Sequence, residues 1–175
     1  MIYSAKMVSD QLDAALTSAI LNAEVINGAL VVLGNLAADT TYDANGLEYD
    51  LYEAAAPAAA TDEVVLLDYA GISEGVINGN NYKMGKKLYN INVPANRPCR
   101  ARRLFLHDKF WLSGDCFDTA PTVGKFATAA AGKFTHAAAA SAPQSGYYVK
   151  ILAKEGLVAG MKDQGYRYLC EVMGL

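Results

Sequence analysis

Apolar residues in this chain fall into short runs parted by Gly, Asn and Pro, with clean period-two alternation in "GYYVKILA" and "YRYLCEVM" near the C-terminus. Lys87, Tyr89, Ile91 and Val93 alternate with Leu88, Asn90 and Asn92, which predicts a strand with one wetter face. Val64 to Leu67 is a short apolar run, and Leu104 to Leu106 mirrors Phe110 to Leu112 across the polar tip His107-Asp108-Lys109, so both are expected to be core strands. Asn27-Gly28 sits between Glu24–Ile26 and Ala29–Leu33, and Asn-Gly supplies the positive φ angles of a two-residue turn, which predicts a hairpin. Further turn signals are Asn45-Gly46, Asn78 to Asn81, and the Pro94 and Pro98 pair. Ala54 to Ala60 is broken by Pro57, which removes a donor and clashes one turn back, so a loop is expected there.

A helical period occurs at Val8, Leu12, Leu16 and Ile20, with Ala15 and Ala19 alongside. Residues 1–23 are therefore expected to form an amphipathic helix or an extended arm docked on a neighbour. Residues 24–175 are expected to form a single β-rich domain. About eight to ten short strands with turn signals every eight to twelve residues or so point to an antiparallel β-sandwich or barrel. At 175 residues and 53% hydrophobic, the chain is large enough to build one core.

The stretch "TVGKFATAAAGKFTHAAAA" repeats Gly-Lys-Phe at 124–126 and 132–134. Strands Lys125–Ala129 and Lys133–Ala137 would make a hairpin with Phe126 and Phe134 as its large anchors. Alanine is a poor strand former, so such a hairpin gains its order from whatever it lies against. The phosphate-loop spacing G-x-x-x-x-G-K-[ST] is absent, because Phe134 follows Gly132-Lys133.

The net charge of −3 hides a division. Residues 1–76 hold twelve acids and one base, Lys6, for a net −11, while residues 77–175 hold fourteen bases and six acids, for a net +8. The two halves can pair within the fold, or they can face different partners. The basic cluster Lys83, Lys86, Lys87, Arg97, Arg100, Arg102, Arg103 and Lys109 carries no RNA- or DNA-binding signature, so no nucleic-acid partner is expected. Nor is a membrane, because no apolar run approaches the roughly 18–20 residues a spanning helix requires. The N-terminus "MIYSAKMVSDQLD" has acids where a cleaved leader needs an apolar region, so a soluble protein is expected.

Chemistry-bearing patterns are sparse. Cys99, Cys116 and Cys170 are odd in number with no C-x-x-C spacing, so they are expected to be reduced core residues. His107 and Asp108 are adjacent, hence on opposite faces of an extended chain, and do not form a base with its orienting group. Pairing His107 with Cys99 or Cys116 as an activated thiol has no local support. Asp43, Asn45 and Asp50 match the EF-hand spacing only loosely, with Gly46 two places early and no closing glutamate. No enzyme activity, cofactor or metal is expected.

"NGALVVLGNL", "EVVLLDYAGISEGV", "GKKLYNINVPANRPCRARRLFLHDKFWLSGDCF", "PTVGKFATAAAGKFT" and "GYYVKILAKEGL" together resemble the small auxiliary head proteins of tailed bacteriophages, from about residue 24 onward. The resemblance implies a decoration protein on the outside of an icosahedral capsid. Its expected partner is the major capsid protein, with self-association on the shell, and its expected location is the virion exterior after assembly in the host cytoplasm. Interface residues expected on this reading are Lys83, Lys86, Lys87, Arg97, Arg100, Arg102, Arg103, Lys125, Phe126, Lys133 and Phe134. The alternative is a carbohydrate- or host-surface-binding β-module that uses its eleven tyrosines and Trp111 for stacking.

Overall fold

The computed structural model describes residues 2–7, 15–37, 51–69, 92–156 and 165–175. These residues are mainly β-strand, arranged as a closed barrel packed against an open sheet. The strands are β1 (Ile2–Lys6), β2 (Leu16–Ile20), β3 (Val25–Ile26), β4 (Leu30–Leu36), β5 (Leu51–Ala55), β6 (Val65–Leu67) and β7 (Asn92–Val93). They continue with β8 (Cys99–Arg103), β9 (Lys109–Ser113), β10 (Phe126–Ala129), β11 (His136–Ala139), β12 (Tyr148–Gly156) and β13 (Tyr166–Gly174). The barrel closes in the order β2-β5-β4-β6-β8, and the six-stranded sheet runs β1-β9-β13-β12-β10-β11. Strand β3 pairs with β7 in a separate two-stranded ribbon.

Two hydrophobic cores follow from this arrangement. Ala19, Leu21, Val25, Ala29, Val31, Val65, Leu67, Val93, Cys99 and Ala101 form one cluster, built largely from the inward faces of the barrel strands. The second lies between barrel and sheet, where Leu30, Val64 and Leu66 meet Phe110, Leu112, Val149, Ile151, Tyr168 and Val172. Leu30 and Val31, like Leu66 and Leu67, are consecutive yet belong to different clusters, because successive side chains of a strand point to opposite faces. Strands β4 and β6 are thus walls shared by both cores, which is why residues 30–33 and 64–67 read as unbroken apolar runs.

Several expectations change. Leu16–Ile20 is a strand, not the end of a helix; it lies parallel to β5 and antiparallel to β8. Leu16 and Ile20 are half-buried while Ala15 and Ala19 are buried, so small residues face inward. Ile2–Lys6 is also a strand, paired with β9. At Asn27-Gly28 the turn forms, with Gly28 at φ 97° and the Ala29 N–H donating to Ile26 O at 3.1 Å. The hairpin does not form, because β3 pairs with β7 while β4 pairs with β5 and β6. The buried Asn27 side chain instead acts as a short stretch of strand. Its Nδ2 donates to Tyr69 O and its Oδ1 accepts from Tyr69 N–H, both at 2.8 Å.

Leu104 to Leu106 is not a strand but the link from the barrel to the open sheet. Asp108 holds it by accepting the Phe105 N–H at 3.0 Å, and His107 adopts a positive φ of 69°. The alanine-rich hairpin forms, but its second strand begins at His136, three residues later than expected. Ala54 to Ala60 ends β5 and becomes a loop, in which Asp62 Oδ2 accepts the N–H groups of Ala58 at 2.7 Å and Ala59 at 2.9 Å. The pair β12–β13 forms as the alternation predicts. The Asn45-Gly46 and Asn78–Asn81 turns, the Asp43/Asn45/Asp50 group and the strand before Asn92 lie outside the described residues.

Candidate functional site

The repeated Gly-Lys-Phe builds the same turn twice. In Thr122-Val123-Gly124-Lys125 the Lys125 N–H donates to Thr122 O at 3.0 Å, and in Ala130-Ala131-Gly132-Lys133 the Lys133 N–H donates to Ala130 O at 3.1 Å. Gly124 and Gly132 occupy the third position at φ 83° and 71°, the left-handed geometry a type II turn requires there. Open space surrounds the Cα of each. The two turns precede and follow β10, so each exposes a lysine and sends a phenylalanine back toward the body of the protein.

The two phenylalanines dock differently. Phe126 opens β10 and meets Tyr148 edge-on at 5.9 Å between ring centroids. Phe134 packs against the barrel core, and its carbonyl accepts the Leu30 N–H at 3.1 Å. The Gly132 N–H donates to Pro57 O at 2.6 Å, which fastens the second turn to the loop after β5. This anchorage draws Phe134 out of the expected strand and explains the late start of β11. The first turn is held by β12 through Gly124 N–H to Ile151 O at 2.8 Å, and its Val123 side chain is 47% exposed.

The expected basic strip divides. Arg100 and Arg102 point out of β8 and both reach Asp68 Oδ2, at 2.5 and 2.6 Å, so an acid of the negative half holds two bases of the positive half. Arg102 is buried by this pairing. Arg97 and Arg103 are exposed. Lys109 lies 3.7 Å from Glu171. Lys133 pairs with Asp118 at 2.9 Å, and the Thr135 hydroxyl also donates to Asp118; the Thr135 and Lys133 bonds hold that carboxyl below its ordinary pKa. Lys125 is exposed. Lys83, Lys86 and Lys87 lie outside the described residues.

The chemically reactive side chains are deeply placed. Cys99, Cys116 and Cys170 are free and buried, and burial pushes each thiol up, Cys99 to about 12. Such thiols carry almost no thiolate at neutral pH. His107 is exposed and faces Glu171 at 3.4 Å, while the Asp108 side chain turns inward to its own loop, so the two diverge. His136 is fully buried between the rings of Phe117 at 5.3 Å and Tyr147 at 5.9 Å, and burial pushes its pKa down to about 4. Its ring nitrogens and the Tyr147 hydroxyl have no partner of good hydrogen-bond geometry among the described residues, although the backbone of Gly28 lies close enough to the imidazole to offset part of the shift. No group of three metal-ligating side chains occurs among the described residues.

Residue spacing gave no sign of a cavity of about 780 Å³ beside the barrel. It runs along β4 and β5 to the end of β2, with Asn22, Asn35, Asn96 and Glu53 among its polar lining and Phe134 on one wall. These residues come from five separate segments, and only the closed fold assembles them. No protein-family model matches the chain, and no curated protein or solved structure matches it.

Proposed function

We propose that the protein is an auxiliary or decoration protein of a tailed-bacteriophage head. On this reading it binds the major capsid protein on the outer surface of an icosahedral shell, self-associates there, and supports assembly or stability. It reaches that site by assembly in the host cytoplasm. The observation that supports the reading best is the duplicated turn, which presents Lys125 and Lys133 from rigidly anchored backbone. A contact protein needs side chains held ready for a repeating surface, because freezing mobile groups at an interface costs affinity.

The contact surface in this proposal is narrower than the sequence cluster. Arg100 and Arg102 are committed to Asp68. Lys125 and Arg103 are exposed and would face the shell, joined by Lys133, which is exposed while paired with Asp118. Phe126 and Phe134 act as anchors that hold the two turns, and not as contact residues. The Trp111 face invoked by the carbohydrate alternative is already covered by the Arg167 guanidinium, 4.6 Å from the ring centroid.

Sedimentation of the purified protein with undecorated capsids tests the proposal. Saturable binding at a copy number set by capsid symmetry is expected, declining as salt rises because the contacts are between exposed charges. The double variant Lys125→Glu with Lys133→Glu is expected to weaken binding by roughly tenfold or more. Failure to sediment with capsids at low salt would end this reading.

A further inference from the structure

The cavity beside the barrel has the size of a small-ligand site and a lining of amides, two carboxylates and apolar groups. Its volume, about 780 Å³, falls within the range typical of such pockets. Among the described residues no lysine, arginine or histidine lines it, so these offer a phosphate or carboxylate ligand no counter-charge. Asp62 also reaches the lining, but its Oδ2 already accepts two backbone N–H groups, which leaves the exposed Glu53 as the more available carboxylate. The remaining polar groups are the primary amides of Asn22, Asn35 and Asn96, each exposed at the rim. An amide both donates and accepts hydrogen bonds, as does a sugar hydroxyl, so the two match without any change of protonation.

The apolar part of the lining fits the same ligand. Phe134 and Val32 are half-buried, with part of their surface left to the cavity. An aromatic ring beside small aliphatic groups provides a flat, apolar wall for the C–H face of a pyranose. The backbone supports this wall, because the Gly132-to-Pro57 hydrogen bond fixes the turn that carries Phe134.

We propose that this cavity binds a neutral saccharide, with Phe134 and Val32 against the sugar face and Asn22, Asn35, Asn96 and Glu53 on its hydroxyls. The inference is independent of capsid binding, since none of these residues belongs to the lysine-bearing contact surface. The open rim implies modest affinity, roughly millimolar to micromolar.

Isothermal titration and ligand-observed NMR of the full chain would use three neutral trisaccharides (maltotriose, mannotriose and N,N′,N″-triacetylchitotriose). Trigalacturonic acid serves as the anionic probe and chitosan trimer as the cationic one. At least one neutral trisaccharide is expected to bind in preference to both charged probes. Asn35→Ala is expected to weaken it by roughly tenfold. Ala55→Trp, at an exposed position on β5 that lines the cavity, is expected to block binding without touching either core. Circular dichroism verifies that both variants fold. No binding of a neutral trisaccharide at about 10 mM, stronger binding of a charged probe, or binding unchanged in both variants overturns the proposal.

Discussion

The two cores of this protein are built from different materials. The barrel cluster consists of Ala, Val, Leu and Cys, whereas the layer between barrel and sheet adds Phe110, Phe117, Tyr147 and Tyr168. A five-stranded barrel is too narrow to take an aromatic ring in its interior, so its strands turn small residues inward. The open sheet has no such limit, because packed layers sit about 10 Å apart and hold large side chains. The difference teaches that core composition here follows curvature: alanines at 19, 29 and 101 share the barrel core with no fully buried ring, whereas Ala127 and Ala129 of the open sheet share theirs with Phe117 and Tyr168.

The largest effect should come from the aromatic layer. Phe110→Ala removes a fully buried ring at the centre of the inter-layer core and is expected to cost about 3–5 kcal/mol in urea unfolding. A cost near 1 kcal/mol would show that the layer is looser than its burial implies.

Acid should weaken the same layer next. His136 in the folded protein stays neutral down to about pH 4, whereas in the unfolded chain it takes up a proton near 6.5. Its contribution is therefore fully present above pH 6.5, declines as pH falls toward 4, and levels off below, for a total of about 3 kcal/mol. Unfolding free energies at pH 7.5, 5.5 and 4.5 for the natural protein and His136→Phe measure this, and the variant should lose that part of the slope. Parallel pH curves would contradict it.

The barrel should respond to addition more than to removal. Ala101→Leu places three extra carbons in a filled, curved interior and is expected to destabilise by about 1–3 kcal/mol. If thermal unfolding shows no loss, the barrel is not the tight element described above. The smallest contrast concerns the twin turns. Gly124→Ala and Gly132→Ala each force an L-residue to positive φ with no steric clash, so each should cost about 1 kcal/mol, and by similar amounts. Unequal values in paired denaturation curves would mean that the two copies are not the same turn energetically.

Sequence reasoning reached the β class, the β12–β13 pair, the turn at Gly28 and the hairpin link at Gly132, because these rest on local signals: alternation and turn glycines. It misread what depends on distant partners. Leu16 and Ile20 satisfy a period of four, and nothing in residues 1–23 says that Ala19 should be the inward residue; the narrow barrel decides that. Asn27-Gly28 announces a turn but not whether its flanks pair with each other, and here β3 and β4 leave in different directions. The basic strip could not show that Asp68 would take two of its arginines, across 32 and 34 residues of chain. The cavity was illegible for the same reason, since Asn22 and Asn96 come from two loops and Asn35 from β4, and only the closed barrel brings them together.

The burial of all three thiols has a practical consequence. A cysteine placed at the exposed Val123 or Ala131 would be the fast-reacting sulfur in the molecule, so a dye or spin label could be attached there without first replacing Cys99, Cys116 or Cys170. Either copy of the twin turn could then carry a reporter while both cores keep their natural side chains.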